Sequence, residues 1–204
     1  MNLYPDNLTA LSLWKESLDG IIKRKSLMTR EYVFHTIGIG EAAAKIAAYS
    51  GLNTDKAYAC GLLHDWGKIQ KEKETGIAHF IVGYEKMVQE GFSDIARICL
   101  THSFPDCHFK RDDYPAYSDK DILFVKDYLK NIVYDDYDRL IQLCDMFFEG
   151  LSKVSYQKRL EYIRARYHLE KSQTAVLEKC AAENKAYFDK KCGQDIYKLL
   201  GIEG

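Results

Sequence analysis

At 204 residues, 47 % of them hydrophobic and 29 % charged, the chain can bury about 70 % of its unfolded surface, so it needs no staples, and its composition excludes wholesale disorder. No apolar run approaches the ~20 residues of a membrane span, and a net charge of −1 lacks the basic footprint of a nucleic-acid-binding surface. The start, Met-Asn-Leu-Tyr-Pro-Asp, has neither a basic leader nor an apolar h-region, and none of the six cysteines forms a Cys-x-x-Cys pair, so reduced thiols in a cytoplasmic protein are expected.

Prolines occur at positions 5, 105 and 115 only, which leaves long intervals free to be helical. Apolar residues at 11, 14, 18, 21 and 22 recur at helical spacing and predict a helix over about 9–24 with Thr9 as its cap. Thr29 opens a second helix that runs to Ser50 and stops at Gly51. Thr54-Asp55 starts a third, which reaches about Trp66 and ends at Gly67. Helices follow over about 77–90 and from Ser93 to His102. The stretch 103–118 holds two prolines and little periodicity and reads as a long loop of the kind that often binds substrate. Helical patterns resume over about 119–131, 136–149, 153–168, 172–191 and 195–200. The best strand signal is short, Ile132-Val133-Tyr134. The expected fold is all-α, a helical bundle with a helical C-terminal extension after about residue 150, in one domain spanning 1–204.

Four residues stand out by position. His35 lies mid-helix, His64-Asp65 is an adjacent pair at a helix end, and Asp145 interrupts the apolar run Leu140–Phe148. A carboxylate in such a run is costly to bury unless it is paired or holds a cation. Convergence of all four on one divalent metal explains them economically, and two imidazoles with two carboxylates suit Fe, Mn, Co, Ni or Zn. The second oxygen of Asp65 is then available to bridge to a second ion, for which His79 and His102 offer imidazoles. Two such ions ~3.5–4 Å apart can hold one hydroxide and clamp phosphate oxygens. Lys68, three residues after Asp65, is placed to bind a phosphate oxygen as a point charge, with Lys71 and Lys73 adding to a positive rim. Glu72 and Glu74 are weaker candidates for general acids.

This pattern resembles the HD-domain superfamily of metal-dependent phosphohydrolases. The resemblance rests on His35, on Leu62-Leu63-His64-Asp65-Trp66-Gly67-Lys68, and on Asp145, and it covers about residues 29–150. His79-Phe-Ile-Val-Gly83, with His102 as the next histidine, is similar to an element of the family's dinuclear branch, which includes bacterial diadenosine tetraphosphate hydrolases. The resemblance implies an HD-type bundle that binds one or two divalent ions, with Mg among the candidates. It implies cleavage of phosphoester or phosphoanhydride bonds in a nucleotide or other small phosphorylated metabolite, with Asp65 and Lys68 catalytic. Ile69 stands where the 5′-nucleotidase branch carries a glutamate, which ranks that branch lower. A dinuclear-iron oxygenase and a nucleotide-binding sensor without turnover share the same ligand set and stay open at this point.

Several features have blander readings beside functional ones. The tyrosines at 114, 117, 128, 134 and 137 pack amphipathic surfaces or form a wall that stacks a nucleobase. The basic stretch Lys158-Arg159…Arg164-Arg166 before His168 reads as a solvated helix face, and His108 as a rim residue. The apolar face of 172–191, with Val176, Leu177, Cys180, Tyr187 and Phe188, either packs on the core or meets a second copy of the chain.

Overall fold

The computed structural model describes residues 3–70, 72–106 and 117–203, and for residues 72, 73 and 173 the backbone alone. The fold is all-α apart from one two-stranded hairpin. Helix α1 (Asn7–Lys23) starts two residues earlier than the apolar spacing suggests, because the Asp6 carboxylate, not Thr9, accepts the backbone N–H of the first turn (Thr9 N to Asp6 Oδ1, 2.8 Å). Helix α2 (Thr29–Ser50) begins at the expected residue, but the Thr29 hydroxyl donates to the Ser26 carbonyl and caps nothing. Gly51 ends it in the left-handed conformation. Helix α3 (Thr54–Leu63) is capped by Asn53 and stops short of Trp66. Residues Trp66–Ile69 then form a tight 3₁₀ turn, so Gly67 lies inside a helical turn and is not a terminator.

The chain continues through α4 (Glu72–Thr75), α5 (His79–Gln89), α6 (Ser93–Thr101), α7 (Asp119–Asn131) and α8 (Asp136–Asp145). Helix α8 ends four residues before the expected 149. There the chain turns into a hairpin, β1 (Phe148–Glu149) against β2 (Ser152–Lys153), with Phe148 opposite Lys153 and a left-handed Gly150 in the turn. Ile132-Val133-Tyr134 is not a strand; the Val133 carbonyl accepts from Arg97 (2.6 Å) and the Tyr134 hydroxyl donates to the Phe104 carbonyl, so these groups are satisfied outside a sheet. Helices α9 (Tyr156–Tyr167), α10 (Lys171–Cys192) and α11 (Ile196–Leu200) complete the chain.

Helices α2 and α3 cross at the centre of the core. A Cβ on Gly61 would lie 2.7 Å from Gly40 Cα, so these two glycines set how closely the helices that carry His35 and the His64-Asp65 pair approach. Around this crossing Ile39, Ile46, Leu62, Leu63, Leu143 and Phe147 are buried together, each contributing about 1.5–3 kcal/mol. Phe188 of α10 and Ile196 of α11 enter the same core. The 172–191 face therefore packs on its own chain: Phe188 is buried there and Leu177 sits against Met146, Leu160 and Ala181, while Val176 is half exposed.

A second apolar cluster joins α5, α6 and α7 through Phe80, Leu100, Val125 and Leu129. Tyr117 and Tyr128 pack against it, and Tyr137 accepts the Asn53 N–H under the Lys56 ammonium. The packing reading of these tyrosines is thus met in the structure; Tyr114 lies outside the described residues. Helices α6 and α8 are tied by an ion pair in which the buried Asp138 takes the part-buried Arg97 guanidinium, the Thr101 hydroxyl (2.7 Å) and its own cap's N–H at Asp135 (2.8 Å). Among the described residues no helix is long and apolar enough to cross a membrane.

Candidate metal centre and its cleft

Five elements bring their ends or faces to one point. Helix α2 contributes His35 from its middle. His64 keeps α-helical angles just past α3, and Asp65 follows with a different backbone angle, so neighbouring side chains reach the same place. His79 is the first residue of α5, His102 the residue after α6, and Asp145 the last of α8. The first helix braces this junction from behind. Trp66 Nε1 donates to the Leu13 carbonyl (2.8 Å), the Ser17 hydroxyl donates to the Trp66 carbonyl (2.9 Å), and Trp14 Nε1 donates to the Thr36 hydroxyl (2.8 Å).

All six sequence-predicted ligands meet there. On one side, His35 Nε2 lies 3.1 Å from Asp145 Oδ1 and 3.5 Å from Asp65 Oδ2, and His64 Nε2 lies 3.3 Å from Asp65 Oδ2. On the other side, Asp65 Oδ1 lies 3.5 Å from both His79 Nε2 and His102 Nε2, which are 3.2 Å apart. Metal bonds of ~2.1 Å place neighbouring ligand atoms about 3.0–3.4 Å apart, so this spacing is that of a coordination shell. Asp65 stands between the two groups with one oxygen toward each.

The hydrogen-bond inventory fits a cation. The Gly61 carbonyl can only accept, so His64 Nδ1 carries the proton in their 2.7 Å bond, and the Nε2 lone pair faces the centre. The same holds for His102, whose Nδ1 lies 3.1 Å from the Ile98 carbonyl. His64 Nε2 and Asp65 Oδ1 are buried and make no hydrogen bond. Such orphans are costly unless something electropositive satisfies them. Burial pushes Asp65 up, but the neighbouring Lys68 ammonium outweighs it and holds the carboxyl well below the usual carboxylate range. Burial likewise raises Asp145, and the hydrogen bond and charge of His35 outweigh it, leaving Asp145 strongly lowered. Burial lowers His35, but its bonds to Asp145 and Asp65 dominate and raise it. Two ionised carboxylates therefore share one pocket with inward-facing imidazoles, a donor set that fits one or two divalent ions.

Gly67 makes the shell compact. A Cβ there would fall 1.8 Å from the His79 carbonyl oxygen and 2.8 Å from Gly83 N, so only glycine lets the turn after Asp65 lie against the start of α5. Lys68 follows on that turn with Nζ 2.5 Å from Asp65 Oδ2 and lines the cleft.

The centre opens into a cleft of about 570 Å³. His35, Asp65, Lys68 and His79 form its floor, and its walls include Arg24, Arg159, Arg166, Tyr32 and Tyr167. The basic stretch read as a solvated face is thus divided. Arg159 and Arg166 face the cleft, Lys158 is exposed, and Arg164 pairs with Glu178 on α10 (2.6 Å). His168 is exposed and ends α9 in the left-handed conformation. Glu74 is exposed and outside the cleft lining, whereas Lys71 and His108, like Tyr114, lie outside the described residues, and the side chains of Glu72 and Lys73 are not described. The 158–166 stretch carries basic residues on both the cleft side and the solvent side, so no local sequence signal marks the arginine wall.

Comparison with known families adds a name to this geometry. A family model described as "HD domain" matches residues 32–147, more than half of the chain. The chain belongs to the HD-domain family. HD domains bind divalent metals and are generally metal-dependent phosphohydrolases, and all six residues of the centre fall inside the matched HD segment. Two curated relatives bear the name Ribonuclease Y. One, from Fervidobacterium nodosum, is 33 % identical over 84 residues, covering 41 % of this chain and 16 % of the relative. The other, from Mesoplasma florum, is 31 % identical over 78 residues, covering 38 % of this chain and 15 % of the relative. The chain thus spans about a sixth of the length of the curated relatives it matches. No solved structure matches.

Proposed function

We propose that this HD protein hydrolyses phosphoester or phosphoanhydride bonds in a nucleotide or other small phosphorylated metabolite. The observation that carries this reading is the placement of Asp65. Its buried, unbonded Oδ1 faces His79 and His102, and its Oδ2 faces His35 and His64. In this reading His35, His64, Asp65 and Asp145 hold one divalent ion, and Asp65, His79 and His102 hold a second. Such ions, when bound, supply Lewis acidity toward water and phosphoryl oxygens. The Gly61 and Ile98 carbonyls fix the His64 and His102 tautomers. Lys68, held by Asp65 at the cleft floor, presents an ammonium to a phosphate oxygen. Buried thiols at Cys60, Cys99 and Cys144 support a reducing compartment, the cytoplasm.

A second reading, cleavage of RNA phosphodiesters, is favoured by the two relatives named as ribonucleases. One experiment tests both. The protein is loaded with manganese or iron, its metal content is measured, and the nucleotide, phosphate and pyrophosphate products formed from nucleoside mono-, di- and triphosphates and diadenosine tetraphosphate are followed by chromatography. Cleavage of an oligoribonucleotide and O2 consumption are measured in parallel. Small phosphates are expected to turn over without O2, and Asp65→Ala is expected to reduce turnover at least ~100-fold while helical content by circular dichroism is kept. Undiminished turnover in a folded Asp65→Ala protein overturns the assignment, and exclusive cleavage of the oligonucleotide selects the second reading.

A further inference from the structure

Three arginines on the cleft wall lie outside the HD segment. Arg24 comes from the end of α1, and Arg159 and Arg166 from α9, more than a hundred residues later. On α9, positions 159, 162 and 166 share one face. The Arg159 and Arg166 guanidinium carbons lie 5.7 and 5.8 Å from the Tyr162 ring centroid, and Arg166 also donates to the Tyr162 hydroxyl (2.6 Å) and lies 5.7 Å from the Tyr167 ring. The two cations are therefore held in a row by aromatic faces, which pre-orders their planar donors. Arg24 is held by a bond from Nη2 to the Lys68 carbonyl (2.5 Å).

The wall has donors left over. Arg24 Nε and Arg159 Nε are buried and make no hydrogen bond, although Arg159 pairs with Glu149 through another nitrogen. Charge points the same way. With Asp65 engaged at the metal centre, the lining retains Arg24, Lys68, Arg159 and Arg166 against Glu31 and Glu149. Planar guanidinium groups with spare donors bind phosphate through paired hydrogen bonds. The cleft volume of about 570 Å³ is that of a small-molecule pocket.

Resting on the phosphohydrolase reading, we propose that the Arg159–Arg166 face, with Arg24, binds a second phosphate of the substrate, away from the bond that is cleaved. The substrate class is then a small molecule with two separated phosphate groups, one at the metal centre and one on the arginine wall.

Isothermal titration of the full chain, treated with EDTA so that nothing turns over, tests this with adenosine, AMP, adenosine 3′,5′-bisphosphate and a short oligoadenylate. AMP and the bisphosphate are expected to bind and adenosine to bind at least about tenfold more weakly. Arg166→Gln is expected to weaken phosphate binding about tenfold or more, whereas Lys158→Gln removes the same charge from the same helix outside the cleft and leaves affinity within about twofold. Arg166 is exposed, so its replacement spares the core, and a matched thermal melt verifies folding. With manganese restored, KM for the bisphosphate is expected to fall below that for AMP, and Arg166→Gln to erase the difference. Equal binding of adenosine and AMP, or equal effects of Arg166→Gln and Lys158→Gln, overturns the proposal even if phosphate is released. Phosphate-dependent, Arg166-dependent binding with no release from any probe supports the wall and sinks the hydrolase reading. Oligoadenylate binding tenfold tighter than the bisphosphate overturns the small-substrate assignment.

Discussion

Replacing Gly67 with alanine probes how the second half of the centre is built. The added Cβ would sit 1.8 Å from the His79 carbonyl oxygen and 2.7 Å from its carbonyl carbon, and both are backbone atoms that no rotamer change can move. Real Cβ atoms essentially never come within 3.0 Å of such neighbours, so the turn and the start of α5 must part by at least about 1.2 Å, the difference between 3.0 and 1.8 Å. That movement is a large fraction of the 3.2–3.5 Å spacings that join His79 to His102 and Asp65. Overpacking of this kind costs about 1–3 kcal/mol, which lowers the melting temperature by about 2–12 °C in a chain of this size. The expected signature is specific: in the two-ion reading proposed above, Gly67→Ala would lose the ion held by Asp65, His79 and His102 and keep the one held by His35, His64 and Asp145, so that manganese content falls by one ion per chain. Elemental analysis after gel filtration, with a melt recorded alongside, reads both quantities. An alanine variant with the wild-type melt and the wild-type metal content refutes this account of Gly67.

Three further outcomes are expected. Chelation of metal-loaded protein with EDTA lowers the melting temperature by about 5–10 °C, the effect of losing a ligand present at ~100 times its dissociation constant, and added manganese restores it; an unchanged melt removes the case for a bound ion. Asp138→Ala strips the part-buried Arg97 guanidinium and the buried Thr101 hydroxyl of a shared partner, while Arg97 keeps the Val133 carbonyl, and costs about 1–3 kcal/mol in urea denaturation; a loss below ~0.5 kcal/mol shows that α6 and α8 are joined by other contacts. Burial raises Asp136, but hydrogen bonds from Lys191 and Tyr187 outweigh it and hold its carboxyl below 3.8. Its stabilising contribution is therefore present above pH 3.8 and disappears as the pH falls through the lower folded value. Asp136→Asn is expected to cost under ~1 kcal/mol at pH 7, since the pair is at the surface, and the gap to wild type closes as the pH falls below 3.8; a gap that widens in acid contradicts the assignment.

Much of the centre was legible because its residues are chemically out of place. A histidine mid-helix, an aspartate in an apolar run and an adjacent His-Asp pair at a helix end each demand a partner, and the partners turned out to be one another. The helices were legible from spacing, with errors at their ends. Thr9 lost to Asp6 because two capping side chains compete within one turn, and only the backbone angles decide. Gly67 looked like a stop because a glycine past a helix usually is one; the true constraint, the His79 carbonyl, arrives from twelve residues further along. The short hairpin after Asp145 has no periodic signal at two residues per strand. The tyrosines around 117–137 were split between packing and stacking, since composition does not say which way a ring faces. The arginine wall was hidden more deeply. Its members are separated by the whole HD segment, and nothing local in Lys158–Arg166 distinguishes the cleft side from the solvent side.

The helix that carries His35 also packs against α10 and α11, whose Phe188, Ile196 and Leu199 share its core, and the Cys192 thiol donates to the Ile46 carbonyl (3.7 Å). The tail is thus a keel beneath the ion cage. Anything that pries it loose, a protease nick between α9 and α10 or a rival protein gripping α10, would slacken His35 from below and drain the cage with no contact to its mouth.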